Sequence, residues 1–109
     1  MSGIPQDRLA RILEFLNKNP GDPFLLFAAA KEYESRGNTS EARTYYHRIH
    51  DVQPEYVALY YHYGKLEESC GNMLTAERIY LEGIEISLAS GDHHANAELK
   101  AALDNLHGM

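Results

Sequence analysis

The chain has 109 residues, of which 44% are hydrophobic and 24% are charged, a composition typical of one compact globular domain. Its formal net charge of -6 at pH 7 repels phosphate backbones and anionic lipid headgroups, which argues against nucleic acid or a membrane as partner. The single cysteine, Cys70, excludes an internal disulfide, and no apolar run is long enough to span a bilayer. Residues 1–7 have neither the basic nor the apolar region of a secretion signal, so we expect none. We therefore expect a cytoplasmic protein.

The first predicted element is an amphipathic helix over residues 5–18. Its apolar residues recur at the i, i+3, i+4, i+7 spacing of one helix face: Leu9, Ile12, Leu13 and Leu16. Pro5 suits the first turn, where its missing N–H leaves no hydrogen bond unmade. The sequence Asn19-Pro20-Gly21 predicts the end of this helix.

Two further helices are predicted between residues 23 and 54. The first begins at Asp22-Pro23 and ends at Gly37-Asn38, and its predicted core face is Leu26, Ala29, Ala30 and Tyr33. The next has Thr39 or Ser40 as its N-cap, and Gln53-Pro54 closes it. The predicted core face of this helix is Ala42, either Tyr45 or Tyr46, and Ile49.

Three more helices are predicted in the second half of the chain: Glu55 to Ser69, Met73 to Ala89, and Asp92 to Leu106. The predicted core residues of the first two are Tyr60, Tyr63, Gly64, Ala76, Tyr80 and Ile84. The last helix has no partner after it, so we expect it to cover the apolar face of the preceding pair with Ala95, Leu99, Ala102, Leu103 and Leu106.

The segment from Leu25 to Tyr46 occurs twice. A shift of 34 residues gives eight identities in 22 positions: Leu25/Leu59, Lys31/Lys65, Glu34/Glu68, Ser35/Ser69, Gly37/Gly71, Asn38/Asn72, Ala42/Ala76 and Tyr46/Tyr80. A period in this range is typical of stacked supersecondary units. The short turns predict antiparallel helix pairs, and one pair cannot bury its apolar stripe alone.

The repeated pattern resembles the tetratricopeptide repeat. The residues that carry the resemblance are Ala29-Ala30, Tyr33, Gly37-Asn38, Ala42, Tyr46 and Pro54, with Tyr60, Tyr63-Gly64, Gly71-Asn72, Ala76 and Tyr80 in the second copy. The resemblance is to a small bacterial-type two-repeat protein with flanking helices. It implies an all-α fold of about six helices, an α-solenoid of antiparallel helix pairs with a right-handed superhelix.

We predict a single domain over residues 1–109. It comprises an N-terminal flanking helix (5–18), repeat 1 (23–54), repeat 2 (55–88) and a C-terminal capping helix (92–107). Three residues depart from the repeat: Glu67 replaces Tyr33, Gly83 replaces Ile49, and Leu88 stands where Pro20 and Pro54 predict a proline. Gly83 either weakens the last interface or allows a close helix approach, and Leu88 lets the fifth helix continue.

The resemblance implies a non-catalytic module that binds other proteins in a concave groove lined by the first helix of each pair. Groove positions outside the predicted core are Phe27, Ala28, Lys31, Glu34 and Ser35 on the first helix of repeat 1 and Tyr61, His62, Lys65, Glu68 and Ser69 on that of repeat 2. Lys31 and Lys65, with aromatic Phe27 and Tyr61 beside them, are a candidate site for an acidic or C-terminal peptide. The alternative is an ordinary Lys–Glu pair at i, i+3 on each helix, with Glu34 and Glu68, copied with the duplication.

Neither a catalytic constellation nor a cofactor motif is expected. The six histidines include His47 and His50 on one helix and the adjacent His93 and His94, but no pattern of Cys or carboxylate ligands accompanies them, so we predict no metal site. The alternative to peptide binding is a structural homodimer without a peptide ligand, formed by apolar surface left on the first or last helix.

Overall fold

The computed structural model describes residues 7–108, which contain six α-helices and no β-strand. The helices are α1 (Arg8–Lys18), α2 (Pro23–Ser35), α3 (Thr39–Val52), α4 (Ala58–Ser69), α5 (Met73–Ser90) and α6 (His93–Leu106). The prediction of an all-α fold is confirmed.

The chain divides between Pro54 and Glu55 into two compact units. The first unit holds α1, α2 and α3, and the second holds α4, α5 and α6. The prediction of one domain with the boundaries given above stays a prediction.

Several helix ends differ from those predicted. In α1 the N-cap is Asp7, whose carboxylate accepts from Leu9 N, and the predicted start at Pro5 lies outside the described residues. In α3 the N-cap is Asn38, whose side-chain oxygen accepts from Glu41 N, so the prediction of Thr39 or Ser40 was wrong. Asn38 belongs both to the turn and to the next helix, a double role that the turn pattern concealed.

The start of α4 was also predicted wrongly, because the helix begins at Ala58 and not at Glu55. The first turn of α4 is joined to the residues before it by hydrogen bonds that span three residues: Leu59 N donates to Tyr56 O and Tyr60 N donates to Val57 O. The continuation of α5 past Leu88 is confirmed, since the helix runs to Ser90.

Both helix pairs turn in the same way. Gly37 and Gly71 have φ of +75° and +82°, a left-handed conformation that glycine adopts without strain. The following Asn N–H groups donate to the carbonyls of Tyr33 and Glu67, five residues back. Each turn therefore closes its helix in three residues and reverses the chain.

In the first unit the core lies between α2 and α3. Six residues are completely buried: Leu26, Ala29, Ala30, Ala42, Tyr46 and Ile49. Of the two tyrosines left open by the sequence, Tyr46 is the core residue. The prediction that Tyr33 belongs to the core was wrong, because its half-buried ring stacks on the half-buried ring of Tyr45 at 5.5 Å.

In the second unit the helices α4 and α5 approach each other closely at two glycines. A Cβ atom on Gly83 would lie 2.4 Å from Tyr60 Cβ, and one on Gly64 would lie 2.3 Å from Tyr80 Cε1. Of the two alternatives for Gly83, the structure therefore has the close approach. Tyr63 and Ile84, predicted in the core, are only half-buried.

The helix α6 packs against both α5 and α4, as expected of a capping helix. Leu99 and Ala102 supply its buried apolar contacts. Beside them lies a buried polar side chain, Asn96, whose Nδ2 donates to Ile84 O at 3.1 Å and to Ser87 Oγ at 3.2 Å. These directional bonds fix the rotation of α6 on α5, because the buried amide would otherwise lack partners.

Candidate functional site

On α2, Lys31 belongs to a network of three side chains with Glu34 and Tyr46. The carboxylate oxygen Oε1 of Glu34 lies 3.1 Å from Lys31 Nζ, one helical turn away. The same oxygen accepts a hydrogen bond of 2.6 Å from the hydroxyl of Tyr46, which reaches across from α3. The phenol of a completely buried tyrosine is thereby satisfied.

The second unit repeats this network atom for atom. Glu68 Oε1 lies 3.7 Å from Lys65 Nζ and accepts a 2.9 Å hydrogen bond from the Tyr80 hydroxyl. Burial, together with the carboxylate beside each phenol, raises the pKa values of Tyr46 and Tyr80 well above their usual range. Both phenols therefore stay protonated and act as donors.

The networks explain why Lys, Glu and Tyr recur at the period of 34 residues. The sequence predicts these glutamates as groove residues that the core does not need. The structure corrects this, because Glu34 and Glu68 accept the hydroxyls of the buried core tyrosines. The geometry also contains the predicted i, i+3 pairs, and each lysine faces a carboxylate of its own helix.

The remaining predicted residues of α2 and α4 also have local contacts. Ser35 Oγ donates to Glu32 O, and Ser69 Oγ donates to Leu66 O, so both hydroxyls bond to the last turn of their own helix. The ring of Phe27 lies 6.1 Å from that of Tyr46 and is half-buried. These intramolecular contacts explain the choice of serine at positions 35 and 69 and of phenylalanine at position 27 without any contact to another protein.

Tyr61 and His62 have a different setting, because they line an open pocket within the second unit. Their rings meet edge to face, with centroids 5.5 Å apart and an angle of 82°. The pocket has a volume of about 180 Å³ and lies between the N-terminal halves of α4 and α6. Its lining residues are Val57, Ala58, Tyr61, His62, Asp92, Ala95, Glu98 and Leu99.

The pocket is small, and its lining combines apolar and acidic residues. Its volume is below the ~300–1,000 Å³ of typical small-molecule sites. The wall is aromatic and aliphatic, and the carboxylates of Asp92 and Glu98 lie at its α6 side. Asp92 already caps α6 by accepting from Ala95 N.

The sequence did not reveal the contribution of α6 to this pocket. Glu98 and Leu99 were assigned to a helix that only covers the core. The sequence signal that could have found Glu98 is its place directly before Leu99 of the predicted apolar face. In the structure Leu99 is buried and Glu98 is exposed, so Glu98 lies at the edge of the packed face.

Among residues 7–108, no three His, Cys, Asp or Glu side chains lie close enough to one another to hold a metal ion. In the same part of the chain, none of the helices combines the length and hydrophobicity that crossing a bilayer requires.

Comparison with solved structures gives close matches. The chain is similar to a tetratricopeptide repeat domain protein from Salinibacter ruber. Its solution structure has a TM-score of 0.79 and 33% identity, with 83% of this chain and 91% of that chain covered. The crystal structure of a tetratricopeptide repeat domain protein from the same organism has a TM-score of 0.76 and 33% identity over 81% and 98% of the two chains.

The solution structure of a protein from Bordetella parapertussis is similar in fold alone, with 22% identity, a TM-score of 0.80, and coverage of 94% of this chain and 89% of that chain. No family model matches the chain, and no curated protein matches it. The predicted all-α helical repeat is confirmed by these similarities together with the six helices.

Proposed function

Because the chain belongs to the tetratricopeptide repeat family, we propose that it is a cytoplasmic interaction module that binds a segment of a partner protein. Folds of this kind generally serve as non-catalytic scaffolds, and the proposed role needs neither a cofactor nor a metal. We propose no contact with nucleic acid or membrane, in keeping with the net charge of -6.

The pocket beside Tyr61 is the observation that carries this proposal. It is open, it lies on helix faces, and an aromatic ring on its wall offers a large contact area at low entropic cost. Aromatic side chains are also the residues most often found at the energetic centre of protein interfaces. We propose that one side chain of the partner segment enters this pocket between α4 and α6.

The charge around the pocket bears on the partner. Asp92 and Glu98 favour a neutral or basic side chain over an acidic one. The predicted acidic peptide would instead contact Lys31 and Lys65. That prediction has less support, because each lysine already faces a glutamate at 3.1 or 3.7 Å.

A peptide selection tests the proposal. Peptides are selected on the immobilised chain from a random library, and their binding to the purified chain is measured by calorimetry. We expect the best peptides to lose affinity by about tenfold or more with Tyr61→Ala, as for an aromatic anchor. The control is Phe24→Ala, which removes a ring of 68% exposure from the first unit and should leave affinity unchanged.

Nuclear magnetic resonance locates the bound peptide. Amide shifts concentrated in residues 57–62 and 92–99 support the pocket. A selection that yields no binder, or binders whose affinity is indifferent to Tyr61→Ala, contradicts the proposal.

The predicted lysine surface needs a separate variant. Lys31→Gln with Lys65→Gln removes both charges without placing a carboxylate beside Glu34 or Glu68. If an acidic partner contacts the lysines, its affinity should fall with this variant and with rising salt. Unchanged affinity would remove Phe27, Lys31, Ser35, Lys65 and Ser69 from the site and leave the pocket alone.

A homodimer is the second candidate, because one outer helix face carries exposed leucines. The sequence placed any leftover apolar surface on the first or last helix. The most regular exposed stripe lies on α5 instead.

A further inference from the structure

The outer face of α5 carries a stripe of five residues at alternating spacings of four and three: Leu74, Arg78, Leu81, Glu85 and Leu88. All five are exposed, and the three leucines have exposures of 79%, 47% and 65%. A single exposed leucine is ordinary. Leucines at every seventh residue, however, form the seam through which two helices pack.

The repeat architecture does not require this stripe. The corresponding positions on the outer side of the first unit, 34 residues earlier, are Ser40, Thr44, His47, Asp51 and Pro54. They are also exposed, and none carries a large aliphatic side chain. The same helix of the other repeat therefore has the polar surface expected of a face in water. The leucines of α5 are particular to the second repeat.

Leu88 is the clearest case. Pro54 occupies the equivalent position in the first repeat, where α3 has already ended at Val52. With leucine in place of proline, α5 reaches a length of 18 residues, against 14 for α3, and the stripe gains its third apolar position. The change lengthens the helix and at the same time places an apolar side chain on its outer face.

The charges between the leucines specify an orientation. Neither Arg78 nor Glu85 forms an ion pair with another residue of the described range 7–108, so intramolecular pairing does not explain them. The order along the helix is apolar, basic, apolar, acidic, apolar. Two parallel copies would place arginine against arginine and glutamate against glutamate. Two antiparallel copies place each arginine against a glutamate.

We propose that α5 packs against α5 of a second copy of this chain, antiparallel, about a two-fold axis at Leu81. Leu81 meets its own counterpart at the centre, and Leu74 meets Leu88 at both ends. Arg78 pairs with Glu85 in the two layers between. The pattern is self-complementary, as an isologous two-fold interface requires. This inference is independent of the peptide site, which lies between α4 and α6.

The proposed interface is small, because each copy contributes one helix face. It falls below the ~1,200–2,000 Å² of standard interfaces. We therefore expect a weak dimer, with a dissociation constant of about 0.1–1 mM. Monomer and dimer would therefore exchange within the concentration range that solution measurements can reach.

Charge reversal tests both the partner and the orientation. Sedimentation equilibrium up to about 1 mM, the expected range, is run on the full chain and on the variants Arg78→Glu and Glu85→Arg. Each variant alone places like charges in both ion-pair layers, and its association should weaken about tenfold or more. An equal mixture of the two variants restores both unlike pairs and should form a heterodimer as tight as the original within about threefold.

Two further variants test whether association depends on the proposed interface and not on another surface or on a loss of folding. Leu81→Asp sets two carboxylates against each other on the axis and should give a monomer. Val52→Asp alters an exposed apolar residue of α3 with 52% exposure and should leave association unchanged. Circular dichroism should show the same helix content in all variants, since every altered residue is on the surface.

Any of three results would overturn the inference. The first is an unaltered chain that stays monomeric at about 1 mM, the upper end of the expected range of the dissociation constant. The second is association that persists in both single variants, and the third is a mixture that does not associate better than either variant alone.

Discussion

The two repeats build the same helix pair with the same tyrosine–glutamate bonds, but they place the large side chains of their cores differently. In the first unit Leu26 and Ile49 are completely buried. At the equivalent places of the second unit stand Tyr60, also buried, and Gly83, whose missing side chain makes room for it. The large side chain of the second unit therefore comes from α4, and the facing position on α5 is empty. Facing apolar positions of a close-packed interior can exchange large and small side chains, whereas hydrogen-bonding residues must keep their identity.

The largest expected effect comes from copying the first core into the second. Gly83→Ile places a branched side chain where even a Cβ would lie 2.4 Å from Tyr60, and we expect it to lower the free energy of unfolding by about 3 kcal/mol or more. The double variant Tyr60→Leu with Gly83→Ile restores the pair of the first unit and should recover part of the loss. Urea unfolding followed by circular dichroism measures both.

The control for this comparison is Gly21→Ala, where no atom lies within 4 Å of the added carbon. Its stability should change by less than about 0.5 kcal/mol. A double variant no more stable than Gly83→Ile alone would show that the two cores are not exchangeable.

The next largest effect is expected at the two turn asparagines, whose replacement by alanine should lower stability by different amounts. Asn38 caps α3, and Asn38→Ala should cost about 1 kcal/mol. Asn72 makes no such cap bond but donates from Nδ2 to the buried carboxylate of Glu67 at 2.7 Å. Asn72→Ala should therefore cost more, about 1–3 kcal/mol, because a buried acceptor loses a partner. Equal losses in thermal unfolding would contradict the distinct role given to Asn72.

The buried phenols predict a sensitivity to alkali. Burial first, and then a nearby carboxylate, raises the pKa values of Tyr46, Tyr60 and Tyr80 in the folded chain. Unfolded tyrosines ionise near pH ~10, so above that pH the unfolded state loses protons that the folded state retains. Stability should be fully present below pH ~10 and should then fall by up to about 1.4 kcal/mol per pH unit for each phenol.

The variants Tyr46→Phe and Tyr80→Phe measure how much each unit contributes to this loss of stability in alkali. Each should cost about 1 kcal/mol at neutral pH and should reduce the slope above pH ~10. The loss should be larger for Tyr46, whose bond to Glu34 is 2.6 Å against 2.9 Å in the second unit. A stability curve that stays flat in alkali would refute the raised pKa values.

The smallest expected effect concerns the lysines. Lys31→Ala and Lys65→Ala each remove an i, i+3 pair worth about 0.2–0.5 kcal/mol. Lys31 should contribute more, because its distance to the carboxylate is 3.1 Å and that of Lys65 is 3.7 Å. High salt should erase the difference, which chemical unfolding at two ionic strengths would detect.

The sequence predicted the six helices and the repeat because both depend on spacing and on turn residues such as Gly37 and Gly71. It failed at Asn38 and Glu55, where one residue can serve a turn or a helix start with similar local energy. It also misjudged Tyr33, because a position on the core face can lie at the rim of the packed surface.

The candidate site was harder to predict from the sequence. Repetition marked Glu34 and Glu68 as special, but their use by tyrosines of the next helix depends on the rotation of one helix against the other. The pocket at Tyr61 depends on where α6 docks, which a buried amide at Asn96 decides. The relative placement of packed helices is not visible in the spacing of residues along the sequence.

The three-residue turns at Gly37 and Gly71 have a kinetic consequence. Closing so short a loop costs little chain entropy. The contacts that form between the two helices join residues that are close in sequence. Proteins dominated by such contacts fold in microseconds to milliseconds. Each helix pair can therefore form early in folding, as soon as both of its helices are present.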